Sequence, residues 1–267
     1  MQHDTTTPVR QRDLIDPARA DALMATLGLS ATFREGDPLP PFVHNIYFWD
    51  AQPPAQLGRD GHPRVGGLIP DTGLPRRMWA GGRLLFDAPL RAGIVAERHS
   101  VCESAVTKRG RTGPLAFVTL RHEIRQAGQT VLREWQDLVY RQDPGPEAQA
   151  PVPPRSDDAA QDTRVATFDA TQLFRYSALT FNGHRIHYDR AYAKSVEGYA
   201  GLVVHGPLLA QLLLLWAHET DGSVDSFRFR ATAPLMDFES ATLCRDGPRL
   251  WVRGPDGRLC MTAQLGD

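Results

Sequence analysis

Apolar and polar residues alternate with a period of two along much of the chain, which predicts strands more often than helices. In the first half, the strand-like runs are 83–87, 93–107, 114–125 and 129–141. In the second half, they are 164–180, 224–233, 240–246, 249–253 and 258–264. Asp-Gly turns separate the last runs, and Asp-Gly is a hairpin signal. We therefore expect antiparallel sheet in both halves.

The strongest helical signal is the apolar run GLVVHGPLLAQLLLLWA at 201–217. A helix that is apolar nearly all round must be buried on most sides, and this run is shorter than the ~20 apolar residues that a membrane span needs. A short amphipathic helix is predicted at 18–28, and a proline-led short helix or buried strand near 40–49. Residues 51–76 are rich in glycine and proline, which predicts a loop.

A proline-rich segment without apolar periodicity predicts two domains, 1–145 and 163–267, with a linker at 146–162. In the second domain a strand, a short helix, one long apolar helix and four antiparallel strands follow in order. A curved sheet around a buried helix satisfies that order, and this arrangement is the hotdog fold. The first domain has a similar order with a shorter helix. The sequence thus predicts an α+β double hotdog, with two antiparallel curved sheets each wrapped around a central helix and a degenerate N-terminal half.

Composition and charge exclude several classes of function. The formal net charge of −1 gives no reason to expect nucleic acid or an anionic membrane as a partner. The three cysteines, Cys102, Cys244 and Cys260, are far apart and lack zinc-site spacing, so isolated reduced thiols are expected. The first twenty residues have no apolar core and carry several aspartates, unlike a signal or transit peptide. A cytoplasmic protein is therefore expected.

The candidate chemistry concentrates in the decapeptide TFNGHRIHYD, which holds Asn182, His184, His187 and Asp189. Asp189 precedes RAYAKS, a good helix start, and is interpreted as an N-cap. His187 is either a satisfied core histidine or a catalytic residue, and its polar neighbours favour catalysis. A metal site made of these histidines, Asp189 and His205 is a further alternative. Its spacing is not helical and no second carboxylate or cysteine supports it, so no metal is expected.

The pair Gly206-Pro207 inside the apolar run predicts a helix N-terminus, with glycine as the cap and proline at the first helical position. Proline has no N–H, so the Gly206 N–H is left at the positive end of the helix dipole. Such a group suits an oxygen that gains negative charge during a reaction. Plain helix initiation explains the pair equally well.

The segment SALTFNGHRIHYDRAYA, followed by GLVVHGPLLAQLLL, resembles the MaoC-like (R)-specific enoyl-thioester hydratases. Their pattern is S-x-D-x-N-P-x-H-x-D, followed by V-H-G at the start of the hotdog helix. The segments PLPPFVHNIYFW, MWAGGRLLFDAPL and EWQDLVYR are similar to one branch, which includes hydroxyacyl-thioester dehydratase type 2, mesaconyl-CoA hydratase and itaconyl-CoA hydratase proteins. The resemblance implies a double hotdog hydratase that needs no cofactor. Consistently, the sequence has neither GxGxxG after a strand nor a P-loop.

Carried over by position, the resemblance makes His187 the catalytic histidine and Gly206 the oxyanion glycine. Asn182 stands where the family has its catalytic aspartate, and His184 where the family has asparagine. An asparagine can position a water molecule but cannot take its proton. Three interpretations stay open, of which the first is favoured. His187 does the acid–base work with Asn182 as positioner, His184 shares that work, or the site only binds thioesters.

The implied substrate is an acyl-CoA or acyl-carrier-protein thioester. In this branch it is a short branched dicarboxylic acyl-CoA, mesaconyl-CoA or itaconyl-CoA, that is hydrated to citramalyl-CoA. Its phosphates or its free carboxylate need cations, for which Arg175 and Arg185 are candidates; Arg185 stands where the family has proline. Tyr188 and His205 are further candidates for substrate binding.

Other functions on the same fold are a non-catalytic acyl-thioester-binding protein and a 3-hydroxyacyl-carrier-protein dehydratase. A thioesterase would need a carboxylate that activates water, for which Glu134 or Asp189 could be proposed. Two hotdogs in one chain could replace the usual dimer, so either a monomer or a homodimer is expected.

Overall fold

The computed structural model describes residues 8–110, 113–143, 145, 152–156 and 159–266. The strands in these ranges are β1 (Val9–Leu14), β2 (Arg76–Phe86), β3 (Val95–Gly110), β4 (Gly113–Gln126), β5 (Gln129–Arg141), β6 (Asp162–Ala166), β7 (Ser226–Ala231), β8 (Ala241–Asp246), β9 (Arg249–Arg253) and β10 (Leu259–Leu265). The α-helices are α1 (Pro17–Thr26), α2 (Ala170–Leu179), α3 (Arg190–Ser195) and α4 (Gly206–Asp221). Short 3₁₀ turns lie at Val43–Ile46, Pro54–Gln56 and Arg185–His187.

These strands form one antiparallel sheet in the order β1-β3-β4-β5-β2-β7-β10-β9-β8-β6. The first five positions belong to the first half of the chain and the last five to the second. Strands β2 and β7 pair at the seam, where Gly81 lies opposite Arg230 and Leu85 opposite Ser226. The two sheets of the predicted double hotdog are therefore two halves of one continuous sheet, joined edge to edge.

Helix α4 forms the core of the second half, and strands β2, β7, β9 and β10 pack against it. Leu208 and Leu213 have no exposed surface, and burying a leucine side chain contributes about 1.5–3 kcal/mol. The helix begins after an extended His205 and ends at Gly222, whose φ is 80°. The predicted buried helix is confirmed, but its N-cap is His205, and Gly206 is the first helical residue.

The first half of the described chain has no α-helix where the sequence predicts a shorter central one. The 3₁₀ turn Val43–Ile46 lies there instead, preceded by Phe42 with a φ of 71°. That left-handed residue and the prolines just upstream cannot continue a regular helix. The turn is still fully buried at Val43 and Ile46. The N-terminal hotdog thus keeps its sheet but replaces its central helix with a single turn.

The strand predicted over 164–180 is wrong for most of its length, because the short strand β6 is followed by helix α2. Asp169 caps this helix, since its side chain accepts a hydrogen bond of 2.7 Å from the Gln172 N–H. Leu173 and Tyr176 are buried three residues apart, which is a helical spacing. The run of apolar residues is real, but its period is that of a helix.

Three other expectations concern the whole chain. The predicted linker, 146–162, lies mostly outside the described residues, and the division into two domains stays a prediction. The three cysteines are buried and unpaired, as expected for isolated thiols. Within the described ranges, no helix is both long enough and apolar enough to span a bilayer.

Gly81 and Gly82 lie inside β2, although their sequence is typical of a turn. The register with β5 shifts between Trp79 and Gly81, which is a β-bulge. A Cβ atom on Gly81 would lie 2.5 Å from the Phe229 carbonyl oxygen, and one on Gly82 would lie 2.6 Å from that of Trp135. Gly81 therefore lets β7 approach β2 closely at the seam, and Gly82 lets β5 approach β2 on its other side.

Gly81→Ala is expected to lower the free energy of unfolding by about 1–3 kcal/mol, because a methyl group there must displace the backbone of β7. Gly67→Ala is the matched control, since a Cβ atom on Gly67 has no neighbour within 4 Å. Urea denaturation of both variants and the wild type measures the difference. Equal stability of the two variants would contradict a tightly packed seam.

Candidate active site

A cavity of about 1590 Å³ is lined by residues from both halves of the chain. Its polar lining includes three imidazoles, an amide, a guanidinium and the first residue of α4, contributed by His62, His184, His187, Asn182, Arg77 and Gly206. The decapeptide of the second half therefore meets the glycine-rich loop and strand β2 of the first half at one cavity.

His187 ends the 3₁₀ turn Arg185–His187 and is held in one orientation. Its Nδ1 lies 2.7 Å from the Val203 carbonyl oxygen, and the Val203 N–H donates back to Ile186 over 2.9 Å. Because a carbonyl oxygen only accepts, Nδ1 carries the ring proton and Nε2 keeps the lone pair. Burial lowers the pKa of His187 to about 4. The residue is therefore a neutral imidazole with a free base nitrogen at neutral pH.

His205 supports His187 from behind. The two rings stack with their centroids 3.6 Å apart, and Nε2 of His205 lies 2.8 Å from the Ser177 hydroxyl. Burial, and then the charge of His187, lower the pKa of His205 well below its usual range. His205 has no exposed surface and is not part of the cavity lining. Its predicted role in substrate binding therefore has no support from the geometry.

Asn182 and His184 adjoin His187 on the cavity wall. The Asn182 side-chain oxygen accepts a 3.0 Å hydrogen bond from the His184 backbone N–H. Within the described part of the chain, the Asn182 NH₂ group has no hydrogen-bond partner. It is thus a donor available to a ligand. Burial, and then the charges of neighbouring His62 and His187, lower the pKa of His184, which keeps it neutral.

Asp60 and His62 come from the glycine-rich loop of the first half. The Asp60 carboxylate accepts two hydrogen bonds from His62, one from ring Nδ1 over 2.9 Å and one from the backbone N–H over 3.1 Å. The His62 ring centroid lies 4.4 Å from that of His184, which in turn lies 5.4 Å from that of His187. Three imidazoles and one carboxylate thus form a continuous cluster.

The loop is attached to the decapeptide by its backbone. The Arg185 N–H donates to the Asp60 carbonyl oxygen over 2.9 Å. A Cβ atom on Gly61 would lie 2.0 Å from the Gly183 carbonyl oxygen, and one on Gly183 would lie 2.5 Å from that of Gly61. Gly61 also has a φ of 89°, which favours glycine. Only two glycines allow this contact, which brings His62 beside His184.

Asp60, His62 and His184 offer ligand atoms within 4.8 Å of one another, so they could hold a metal ion. Arg77 argues against a cation there. Burial, and then the Arg77 charge, lower the pKa of His62, while Asp60 opposes both. The same guanidinium charge would repel a metal ion. The expectation of no metal stays a prediction.

Arg77, on β2, is an available cation of the cavity. The neighbouring Arg76 is buried in an ion pair with Glu197, whose carboxylate oxygen lies 2.5 Å away. By contrast, no ion pair or hydrogen bond within the described ranges holds the half-buried Arg77 guanidinium. Its charge acts on Asp60 and His62, since it contributes to the pKa of each. Arg77 can therefore bind an anion close to the imidazole cluster.

Gly206 brings the positive end of α4 to the cavity. No acceptor among the described residues lies within hydrogen-bond range of its N–H, as expected for the first residue of a helix. A Cβ atom on Gly206 would meet only the Trp79 carbonyl oxygen, at 3.8 Å, which is an ordinary contact. Packing therefore does not require glycine here. Because glycine has no side chain, a ligand oxygen can approach the Gly206 N–H.

The other predicted binding residues lie outside the cavity lining. Arg185 is paired with Asp189 at 2.7 Å and lies over the Tyr192 ring, because the 3₁₀ turn directs it away from His187. Asp189 caps α3, as predicted. Tyr188 is exposed and donates to the Gly183 carbonyl oxygen. Arg175 is also exposed, on α2.

Glu134 does not have the position that a thioesterase would need. It is buried, lies outside the cavity lining and is ion-paired with His44 at 3.4 Å. Burial alone would raise the pKa of Glu134, but His44 and then His122 outweigh it and lower that pKa to about 2. Glu134 is therefore a structural carboxylate.

Comparisons with known sequences agree with this geometry. The family model for hydroxyacyl-thioester dehydratase type 2 matches residues 42–237. Mesaconyl-C(4)-CoA hydratase of Chloroflexus aurantiacus is 47% identical over 257 residues, which cover 93% of this chain and 91% of that protein. The mitochondrial hydroxyacyl-thioester dehydratase type 2 of Schizosaccharomyces pombe is 27% identical over 277 residues, which cover 90% and 91%.

Solved structures confirm the fold. A MaoC-like dehydratase from Phytophthora capsici superposes with a TM-score of 0.70 at 14% identity, covering 98% of this chain and 96% of that one. A Mycobacterium tuberculosis protein described as having a double hotdog fold gives a TM-score of 0.60 at 13% identity, covering 97% and 95%. The predicted α+β double hotdog is therefore confirmed.

The neutral buried histidines predict how stability depends on pH. Burial lowers the pKa of both His122 and His187 from 6.5 to about 4. Between those values the unfolded chain binds protons that the folded chain does not, so the free energy of unfolding falls as pH falls. Each histidine should contribute a loss of about 2 kcal/mol between pH 7 and pH 5. Denaturation at both pH values should show a smaller loss for His122→Asn than for the wild type; an equal loss would contradict the prediction.

Proposed function

The chain belongs to the hydroxyacyl-thioester dehydratase type 2 family, and we propose that it hydrates the double bond of mesaconyl-CoA or a closely related enoyl-CoA with a free carboxylate. One observation carries the proposal. A neutral His187, with its base nitrogen free, lines the same cavity as the unpartnered N–H of Gly206. The 47% identity to a mesaconyl-C(4)-CoA hydratase supports the same substrate class.

In this proposal the thioester oxygen accepts a hydrogen bond from the Gly206 N–H. Addition of water to a conjugated double bond moves negative charge onto that oxygen. A helix N-terminus aimed at the developing charge needs no reorganisation, and one such donor is commonly worth about 3–4 kcal/mol of barrier. The open space beside Gly206 supports this contact.

His187 supplies the base nitrogen for the attacking water. The water oxygen bonds to the β-carbon, one of its protons passes to a base nitrogen, and the π electrons move towards the thioester oxygen. The base nitrogen then gives this proton to the α-carbon of the resulting enolate. No atom is gained or lost besides the added water, and the reverse sequence dehydrates a 3-hydroxyacyl thioester. Asn182 can hold the water through its NH₂ group, but cannot take a proton.

Arg77 is our proposed partner for the free carboxylate of the substrate. In mesaconyl-C(4)-CoA the free carboxylate is attached to the β-carbon, the carbon that water attacks. A cation is therefore needed beside the acid–base group. Arg77 meets that need, because its charge acts on Asp60 and His62 and it has no ion-pair partner in the described chain. Arg185, the candidate from sequence, is held by Asp189 instead.

Three parts of the sequence-based prediction stay predictions. They are the cytoplasmic location, the choice between a monomer and a homodimer, and the choice between coenzyme A and a carrier protein as the thioester arm. The residues of the site bear on none of them.

Hydration of crotonyl-CoA, mesaconyl-CoA and itaconyl-CoA, followed by the loss of enoyl-thioester absorbance, tests the reaction. His187→Ala should lower kcat by a factor of about 10² or more, since acid–base groups contribute 10²–10⁴. His218→Ala, on α4 but outside the cavity lining, is the control and should keep the wild-type kcat. If the wild type hydrates no ester but Asn182→Asp does, the chain is a thioester-binding protein and the proposal is wrong.

Arg77→Gln tests the substrate class. Removing a charge-assisted contact worth about 1.5–3 kcal/mol should lower kcat/KM for mesaconyl-CoA by a factor of about 10–100. For crotonyl-CoA, which has no free carboxylate, the loss should be small. Arg185→Gln is the matched control and should leave the ratio of the two substrates unchanged. If Arg77→Gln lowers kcat/KM equally for both substrates, Arg77 does not bind the free carboxylate of the substrate.

A further inference from the structure

We propose that His62, backed by Asp60, is a second catalytic acid–base residue and supplies the function of the carboxylate that Asn182 lacks. This inference rests on the proposed hydratase function. In it, the attacking water is held between the Nε2 atoms of His187 and His62, and its proton passes to His62 in place of His187. His62 later gives that proton to the α-carbon, so His62 and Asp60 return to their starting protonation states after each turnover.

The hydrogen bonds around His62 leave the correct nitrogen free. Its Nδ1 lies 2.9 Å from the Asp60 carboxylate, which can only accept when ionised. Nδ1 therefore carries the ring proton, and Nε2 keeps a lone pair. The same tautomer is fixed in His187 by the Val203 carbonyl oxygen. Both histidines line the same cavity, and the ring of His184 packs against each of them.

His62 has a partner that the other site histidines lack. Within the described chain, His187 is bonded to a backbone carbonyl, His205 to a serine hydroxyl, and the His184 ring to no hydrogen-bonding group. Of these four histidines, His62 alone has a carboxylate of the described residues behind its ring. A carboxylate in this position orients an imidazole and stabilises the imidazolium that forms during proton transfer, as in hydrolase triads. Protonating His187 alone would instead leave a buried cation without a counter-charge.

The loop position of His62 is fixed by the fold. Gly61 and Gly183 meet backbone to backbone, and the Asp60 carbonyl oxygen accepts from the Arg185 N–H. The loop is therefore attached to the decapeptide at Asp60 and at Gly61, the two residues before His62. A solvated histidine in a free loop would not need such a contact.

Four ionisable groups lie near His62. Asp60 lies on its own loop, Arg77 on β2, and His184 and His187 on the decapeptide. Burial, and then Arg77, lower the pKa of His62, and the Asp60 carboxylate opposes that change. His62 is thus neutral and able to accept a proton at neutral pH. Asp60 makes the pKa of His62 higher than it would be with burial and Arg77 alone.

The test measures kcat, KM and the pH profile of kcat/KM on mesaconyl-CoA for Asp60→Asn and His62→Gln. His62→Gln should lower kcat by a factor of about 10² or more with little change in KM. Asp60→Asn should lower kcat and move the acid limb of the profile to lower pH, because His62 loses the charge that raises its basicity. Added imidazole should restore part of the activity of His62→Ala.

A structural role would give a different result. Loosening of the loop would lower activity without moving the acid limb, and imidazole would not restore it. Arg59→Gln, on the same loop but with its exposed side chain paired to Asp143, is the control and should keep the wild-type profile.

The outcomes separate this inference from the proposed function. A wild type that hydrates none of the three esters overturns the hydratase proposal. If the wild type is active, the inference is overturned when Asp60→Asn and His62→Gln both keep the wild-type kcat and the wild-type acid limb of the pH profile. Loss of activity on dialysis against a chelator, with return on adding zinc, would also overturn it, because Asp60, His62 and His184 would then be metal ligands.

Discussion

The burial of α4 is the constraint on which the rest of the structure depends. A helix that is apolar almost all round is stable in water only when other elements cover it, and the continuous sheet does so. Fixing the helix also fixes its first turn, so the Gly206 N–H has one direction. His205, the residue before it, is fixed at the same time, and the His187 ring stacks on it at 3.6 Å. The requirement for a core thus determines where an oxyanion and a base can meet.

The residues at the start of α4 are buried from solvent, as His187 and His205 show, and this burial affects the two kinds of group in the site in opposite ways. The helix N-terminus becomes a stronger electrostatic partner, because a low dielectric strengthens fixed dipoles. An imidazole becomes a weaker base, as the pKa of about 4 for His187 shows. A nearby carboxylate relieves this difficulty. The carboxylate of Asp60, which comes from the other half of the chain than the His187 decapeptide, has this effect on His62, because it opposes the lowering of the His62 pKa by burial.

Sequence patterns predicted the parts of the molecule that local periodicity determines. The antiparallel strands, the buried helix and the Asp189 cap follow from residues that are near neighbours in the chain. A short helix or buried strand was predicted near 40–49, and the structure has a buried 3₁₀ turn there, because prolines and the left-handed Phe42 prevent a regular α-helix. The strand at 164–180 was wrong, because Asp169 caps a helix there. In both cases backbone chemistry at one position decided the element.

The cavity residues from the first half could not be predicted in this way. Residues 51–76 have no periodicity, and His62 reaches the site only through the contact of Gly61 with Gly183. The histidine next to a glycine in DGHP was the only local signal. Arg77 was missed for a related reason, since its approach to the site depends on the pairing of β2.

The position of Arg77 gives the substrate carboxylate a second effect on the reaction. The guanidinium charge lowers the pKa of His62. A bound carboxylate would neutralise that charge, so the opposing effect of Asp60 would dominate and His62 would become more basic. A crotonyl thioester cannot do this, because it has no free carboxylate. The cation that recognises a dicarboxylic substrate would then also make proton transfer depend on its presence. The substrate carboxylate would then affect kcat as well as binding, because the correct substrate raises the basicity of the histidine that takes the proton of the attacking water.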